Sequence, residues 1–300
     1  GQHNVLCGNV PQDRAFTIEL TAGDTPSWEI EGSSVRASTD LPRCLGFELA
    51  EVEFVQDVAL FAAERLSVGE GASITNLSTI PGRAADSGGA VVSSGTLEIE
   101  ARARVGSSWS HGDARVGDGA EVAGDLIVGG TLNRGNDSIS GAVVQRAYVP
   151  RHSLEWHVVF PVGPQENVDV SNSVQRLLPG SYGNVRVINN GTLVLRTGVY
   201  RTDSLSLYSG STLELVTEAG PVVIYVQNKL LLEGTLGKST QQKLLLGYFG
   251  SFADLSRTSF RGTFIAPDSQ VIIGGTEPHI GCFLARRIRI DRGTQVRYAR

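Results

Sequence analysis

What this 300-residue chain lacks most is helical periodicity. Apolar residues seldom recur at the i, i+3, i+4 spacing that lays a stripe along a helix. Only Val58 to Arg65 could form a helical turn or two, and that stretch reads equally well as strand. Without helix-length crossovers, βαβ units are excluded. No run of 18 apolar residues occurs, so no transmembrane segment is expected. The chain begins at Gly1 with neither a charged nor an apolar leader, which reads as a processed or trimmed product. Positive charge is also short: 26 Lys plus Arg stand against 31 Asp plus Glu, a net of −5. Nucleic acid is therefore not expected as a partner, because phosphate binding needs a basic face. Lysine is limited to Lys229, Lys238 and Lys243, a bias that GC-rich codon usage explains.

Methionine is absent and cysteine numbers three, at spacings that fit no zinc pattern. Cys7 and Cys44 bracket a segment that a disulfide would close. Such a bridge would contribute about 3–4 kcal/mol in the chain-entropy model and imply an oxidising compartment. The alternative is two reduced, buried thiols. Cys282 lies in an apolar strand pattern and reads as a small core hydrophobe.

Short period-2 runs, by contrast, are everywhere, broken by Gly, Asn, Asp and Ser. Glycine is abundant, 36 of 300, but follows no G-x-y period, so collagen is excluded and frequent corners are implied. In "GTLVLRTGVYRTDSLSLYSGSTLELVTEAGPVVIYVQNKLLLEG" a Leu-x-Leu or Val-x-Val pair returns every few residues. Residues 98–132 show the same habit at tighter, hexapeptide-like spacing. An antiparallel sandwich would show longer strands joined by hairpin dipeptides. Short strand, sharp corner, short strand predicts instead an all-β, single-stranded parallel β-helix (a β-solenoid), right-handed, whose coils stack their inward pairs. Residues 1–57 read as a small β-rich N-terminal cap, with strands at 16–20, 27–30 and 47–55. Residues 58–300 read as the solenoid, with an irregular, proline-bearing excursion at about 148–182. At roughly 20 residues per coil and about 4.8 Å per rung, the rod would be about 45 Å long.

Chemistry is sparse. Carbohydrate-cleaving β-helices need converging carboxylates on neighbouring coils. The densest candidate set is His111, Asp113, Asp118 and Asp125, readable as a calcium or acid–base cluster or simply as the polar corners that Gly/Asp-rich turns require. The corner reading is preferred. In "RHSLEWH", His152, His157 and Trp156 could meet at a groove, but no third metal ligand can be placed. Trp109 and Trp156, with His111, Asp113 and His157, are the candidates for a glycan site. Isolated tryptophans are more often core residues. No nucleophile elbow, zinc helix or phosphate loop occurs, so neither catalytic residues nor a cofactor is expected.

Charge is unevenly spread. The first 60 residues are acidic, including Glu48, Glu51, Glu53 and Asp57, whereas the last 15 carry Arg286, Arg287, Arg289, Arg292, Arg297 and Arg300. A coil that ends the chain in strand pattern would leave an open row of backbone donors and acceptors. Arginines there either discourage unwanted pairing or receive the acidic end of another copy, a heterologous contact that propagates into a fibre.

"LPGSYGNVRVINNGTLVLRTGVYRTDSLSLYSGSTLEL", "GPVVIYVQ", "SFRGTFIAPDSQVIIGG" and "HIGCFLARRIRIDRGTQVRYA" together resemble an uncharacterised β-solenoid domain of bacterial, often myxobacterial, surface and pilus-associated proteins. The match covers roughly residues 176–300, and Pro179–Gly183 and Gly262–Asp268 are its most specific steps. The resemblance implies an extracellular or cell-surface location and no established enzymatic activity. The function expected is a non-enzymatic structural β-solenoid, self-assembling head to tail, with itself or envelope components as partners. The alternatives are a carbohydrate-binding or polysaccharide-cleaving β-helix and a stalk or adhesin fragment.

Overall fold

The computed structural model describes residues 58–77, 89–151, 154, 156, 158–237 and 243–299, with the strands His3–Val5, Ile18–Leu20, Ser27–Ile30 and Ser33–Arg36. Those four strands pair antiparallel, in sequence order, as a small sheet. All described regular structure is strand, and no helix is long and apolar enough to cross a membrane. From Val58 onward every pairing is parallel, and the strands wind a β-solenoid of about ten turns. The stretch that left helix and strand equally open is the strand Val58–Val68.

Coil length follows the turn chemistry. Val91, Ser108, Leu126 and Val143 stack directly, at intervals of 17 or 18 residues. The first three of these coils have three short strands each, as in Ser108–Ser110, Ala114–Val116 and Glu121–Val122. Elsewhere two faces merge into one long strand that turns the corner at a register shift, as between Ala266 and Gln270 in Arg261–Ile273. Alternate residues point inward, so Leu66, Leu97, Ile99, Leu126, Phe264 and Phe283 are fully or almost fully buried. Interior serines satisfy themselves on backbone: Ser93 Oγ donates to the Thr96 carbonyl (2.9 Å) and Ser110 Oγ to the Gly95 carbonyl (2.9 Å). Cys282 is fully buried in the strand His279–Ile290.

The coils do not stack in chain order, and this overturns the expectation of a bare basic end. His279–Ile290 lies between Arg261–Ile273 on one side and Val58–Val68 on the other, with Phe283 beside Leu60 and Ile290 beside Val68. Gln295–Ala299 pairs along its length with Ser73–Leu77. The last coil is therefore in mid-rod, and its edge is covered by the first solenoid coil of the same chain. Two of its arginines meet acids there, Arg287 with Glu64 (2.6 Å) and Arg292 with Glu70 (3.5 Å), while Arg289 pairs within its own coil with Asp291 (3.1 Å). Arg297 donates to Gln295 (3.0 Å), and Arg286 is half-buried at the bulge beside Arg287. Arg287 and Arg292 thus find acids of their own chain, although not the ones singled out in the sequence. Glu48, Glu51, Glu53 and Asp57 lie outside the described residues, as do Cys7 and Cys44.

Among the described residues, the unpaired end coils of the rod lie elsewhere. One is the coil of Val168–Ser171 and Val174–Leu177. The other is formed by Leu132–Arg134, Ser138–Ile139 and Val143–Gln145. Residues 146–167 connect these two ends, with no strand among the described ones, so the chain must run back along the side of the rod. Coils resume at Val168, so the irregular segment stops well short of residue 182. Pro150, Pro161 and Pro164 in this strap lack the N–H that a ladder position needs.

Candidate functional site

The strap lies on one outward column of side chains that parallel register aligns rung by rung. In spatial order the column reads Ser181, Arg201, Tyr225, Gly247, Ile265, Leu284, Phe61, Val92, Trp109, Ile127 and Val144. An apolar outward column would be exposed on an ordinary rod, and here the strap covers it. Ala147 and Val149 pack with Trp109, Val92 and Phe61. Farther along, Trp156 meets Tyr225 edge-on, ring centroids 5.5 Å apart, and Phe249 at 5.2 Å, and Phe160 meets Phe249 at 5.6 Å. Gly247 makes room for that ring, since a Cβ there would sit 2.4 Å from the indole.

This geometry reassigns the glycan candidates. Trp109 and Trp156 are 8% and 4% exposed, so neither offers a face for a sugar to stack on. His111 donates from Nδ1 to the Val149 carbonyl (2.6 Å) and so fastens the strap where it leaves the strand Val143–Gln145. His157 lies outside the described residues. Asp113, Asp118 and Asp125 stand at three successive corners of one coil and do the same job at each. Their Oδ1 atoms accept the backbone N–H of Thr131 (2.7 Å), Asn136 (2.8 Å) and Ala142 (2.8 Å) on the next coil. The residue before each of those amides is a glycine (Gly130, Gly135, Gly141), where a Cβ would fall 2.3–2.4 Å from the same carboxylate oxygen. Asn167, Gly183 and Asn184 repeat the device near the opposite end, at 2.7 Å. Among the described residues, no group of three or more His, Cys, Asp or Glu side chains is placed to hold a metal ion.

The concave feature lies where the strap rejoins the rod. A half-open cleft of about 320 Å³ lies between strap residues 160–167 and the coils at 182–184, 201–203 and 227. Its walls are mostly amide, hydroxyl and aromatic: Gln165, Asn167, Asn184, Thr202, Gln227, Phe160 and Tyr182. Two charged residues line it, Arg201 and Asp203. Arg201 occupies the rung next to Tyr225 in the covered column, with its guanidinium carbon 5.7 Å from the Tyr225 ring centroid. It is 8% exposed, and its Nε is buried without a hydrogen-bond partner. Burial pushes its pKa down, opposed by the nearby Tyr225. Asp203 accepts a hydrogen bond from Asn228 Nδ2.

No family model, curated protein or solved structure matches the chain. Sequence reading missed Arg201 because "VYRTDS" looks like any alternating strand. Once the coils are aligned, an arginine appears where successive rungs hold Tyr, Gly, Ile, Leu, Phe, Val and Trp.

Proposed function

We propose that this chain is a non-enzymatic structural β-solenoid of the cell exterior that stacks end to end with copies of itself. The observation that carries this reading is the pair of terminal coils. Val168–Ser171 and Val174–Leu177 at one end, and the three strands of 132–145 at the other, each pair on one edge only among the described residues. Apolar side chains accompany both edges: Val174 is 66% and Leu178 74% exposed, and Val144 is 43% exposed. Parallel strands run the same way in every coil, so one end of a copy can continue the ladder of another, a heterologous contact that extends into a rod. The acidic–basic route expected from the sequence is replaced, because Arg287 and Arg292 are engaged within the chain. The use made of the acids supports the non-enzymatic part: Asp113, Asp118 and Asp125 are spent on corners, and Glu64, Glu70 and Glu98 on rung-to-rung ion pairs.

The test is particle size against protein and salt concentration, by light scattering with negative-stain imaging. Growth into rods that barely shorten as salt rises is expected, since the contacts are backbone and apolar. Val144→Lys with Val174→Lys should return single particles. A monodisperse monomer at every concentration would refute self-stacking.

A further inference from the structure

We infer that the cavity beneath the strap is a binding site for an acidic sugar, whose carboxylate pairs with the Arg201 guanidinium. This goes beyond the end-to-end assembly and does not depend on it.

A guanidinium stays protonated, and burying it without a counter-ion costs several kcal/mol. The chain accepts that cost at Arg201. Arg186 pairs with Asp169 (3.5 Å) and Arg257 with Glu233, whereas Arg286 shares a buried Nε without an acceptor but does not line this cleft. Among the described residues no carboxylate lies within 4.0 Å of the Arg201 guanidinium, and Nε is left without an acceptor. The Arg201 side chain lines a cleft that is open to solvent on one side. An acceptor is therefore wanting among the described residues, and a ligand in the cavity would supply it.

The rest of the wall narrows the chemistry. Asp203 also lines the cavity, and a carboxylate there repels a dianion such as phosphate more than a monoanion. A ligand with one carboxylate and several hydroxyls satisfies both charges, because Asp203 accepts from hydroxyls while Arg201 donates to the acid group. Amide side chains of Asn167, Gln165 and Gln227 both donate and accept, as sugar hydroxyls require. Phe160 and Tyr182 add apolar faces for a pyranose ring. A volume of about 320 Å³ lies at the small end of ligand sites, so one or two sugar residues fit and a long chain does not. The ligand class is thus a uronic acid, free or at the end of a glycan.

The experiment is titration calorimetry of the full chain with digalacturonate, its methyl ester, a neutral disaccharide and inorganic phosphate. Binding of the uronate, at least tenfold weaker for the ester, is expected. Arg201→Met should abolish it and should keep or raise the melting temperature, because the variant removes an uncompensated buried charge. A purely structural arginine would behave the other way, with Arg201→Met lowering the melting temperature. Gln227→Ala, on the exposed rim, should weaken binding severalfold without moving the melting temperature. No binding of any uronate, equal binding of acid and ester, Arg201-dependent binding of phosphate alone, or a lower melting temperature for Arg201→Met would each overturn the assignment.

Discussion

Replacing Trp156 with alanine removes the side chain that pins the strap to the rod. The ring is 4% exposed and wedged between Tyr225 and Phe249, above Gly247. Truncating a buried tryptophan of this kind costs about 3–5 kcal/mol, in lost burial plus the cavity left behind. No described residue of the strap between Val143–Gln145 and Val168–Ser171 is in a strand, so little ladder hydrogen bonding opposes its release. The expected effect is local opening with the coils intact. Amide hydrogen exchange across 146–167 should accelerate while Leu244–Tyr248 and His279–Ile290 stay protected, and trypsin should cut at the exposed Arg151 sooner than in the wild type. Gly247→Ala attacks the same contact from the other side, since its methyl would sit 2.4 Å from the indole, and overpacking of this kind costs about 1–3 kcal/mol. In the Trp156→Ala background that methyl enters vacated space, so the two opening costs should fall short of additivity by about 1 kcal/mol or more. Additive costs, or a Trp156→Ala strap that exchanges no faster than the wild type, would refute the claim that this ring holds it.

Three further outcomes are expected. Asp118→Ala should lower stability in urea by about 1 kcal/mol through loss of the bond to the Asn136 amide, whereas Asp118→Asn, which keeps an acceptor, should stay close to wild type; equal losses would contradict the corner role. His279 should make stability fall with acid: its Nδ1 accepts the Phe260 amide (3.3 Å), Nε2 donates to the Gly274 carbonyl (2.7 Å), and burial lowers its pKa. A depressed folded pKa means stability is complete above the unfolded value of about 6.5 and is lost as pH drops through that value toward the folded one. Melting temperature should therefore decline below about pH 6.5, before carboxylates titrate, and His279→Gln should flatten that step. At the joint between the first and last coils, Arg287→Ala should cost no more than about 1 kcal/mol because its pair with Glu64 is exposed, whereas Leu60→Ala should cost about 2–5 kcal/mol; separation of the coils by salt alone would reverse that ranking.

The β-solenoid was legible because its cause is local. Alternation in "TLVLR" or "TLELV" places one set of side chains inward whatever lies above or below, and Asp and Gly at corners announce the turns. The preference for Asp113, Asp118 and Asp125 as polar corners could be formed from composition alone. Which amide each one caps could not, because the partner lies 17 or 18 residues away on another coil. The irregular segment was visible from its prolines, although its end was placed about 15 residues too late. Pro179 and the mixed pattern after it concealed the coil at Val168–Leu177.

By itself, then, the sequence determined strand, corner and inward face, all set by residues within a few positions of one another. Only the tertiary structure decided the order of stacking. Every coil offers a similar parallel edge, so nothing local says that Phe283 lies against Leu60, or that the arginine-rich last coil is buried in mid-rod and not left at an end. The same long-range register aligned Arg201 with an otherwise uncharged column and folded the strap over it. A charge that looks ordinary on a solvated strand became a buried guanidinium facing a cavity, because burial is a property of what covers a residue and not of the residue itself.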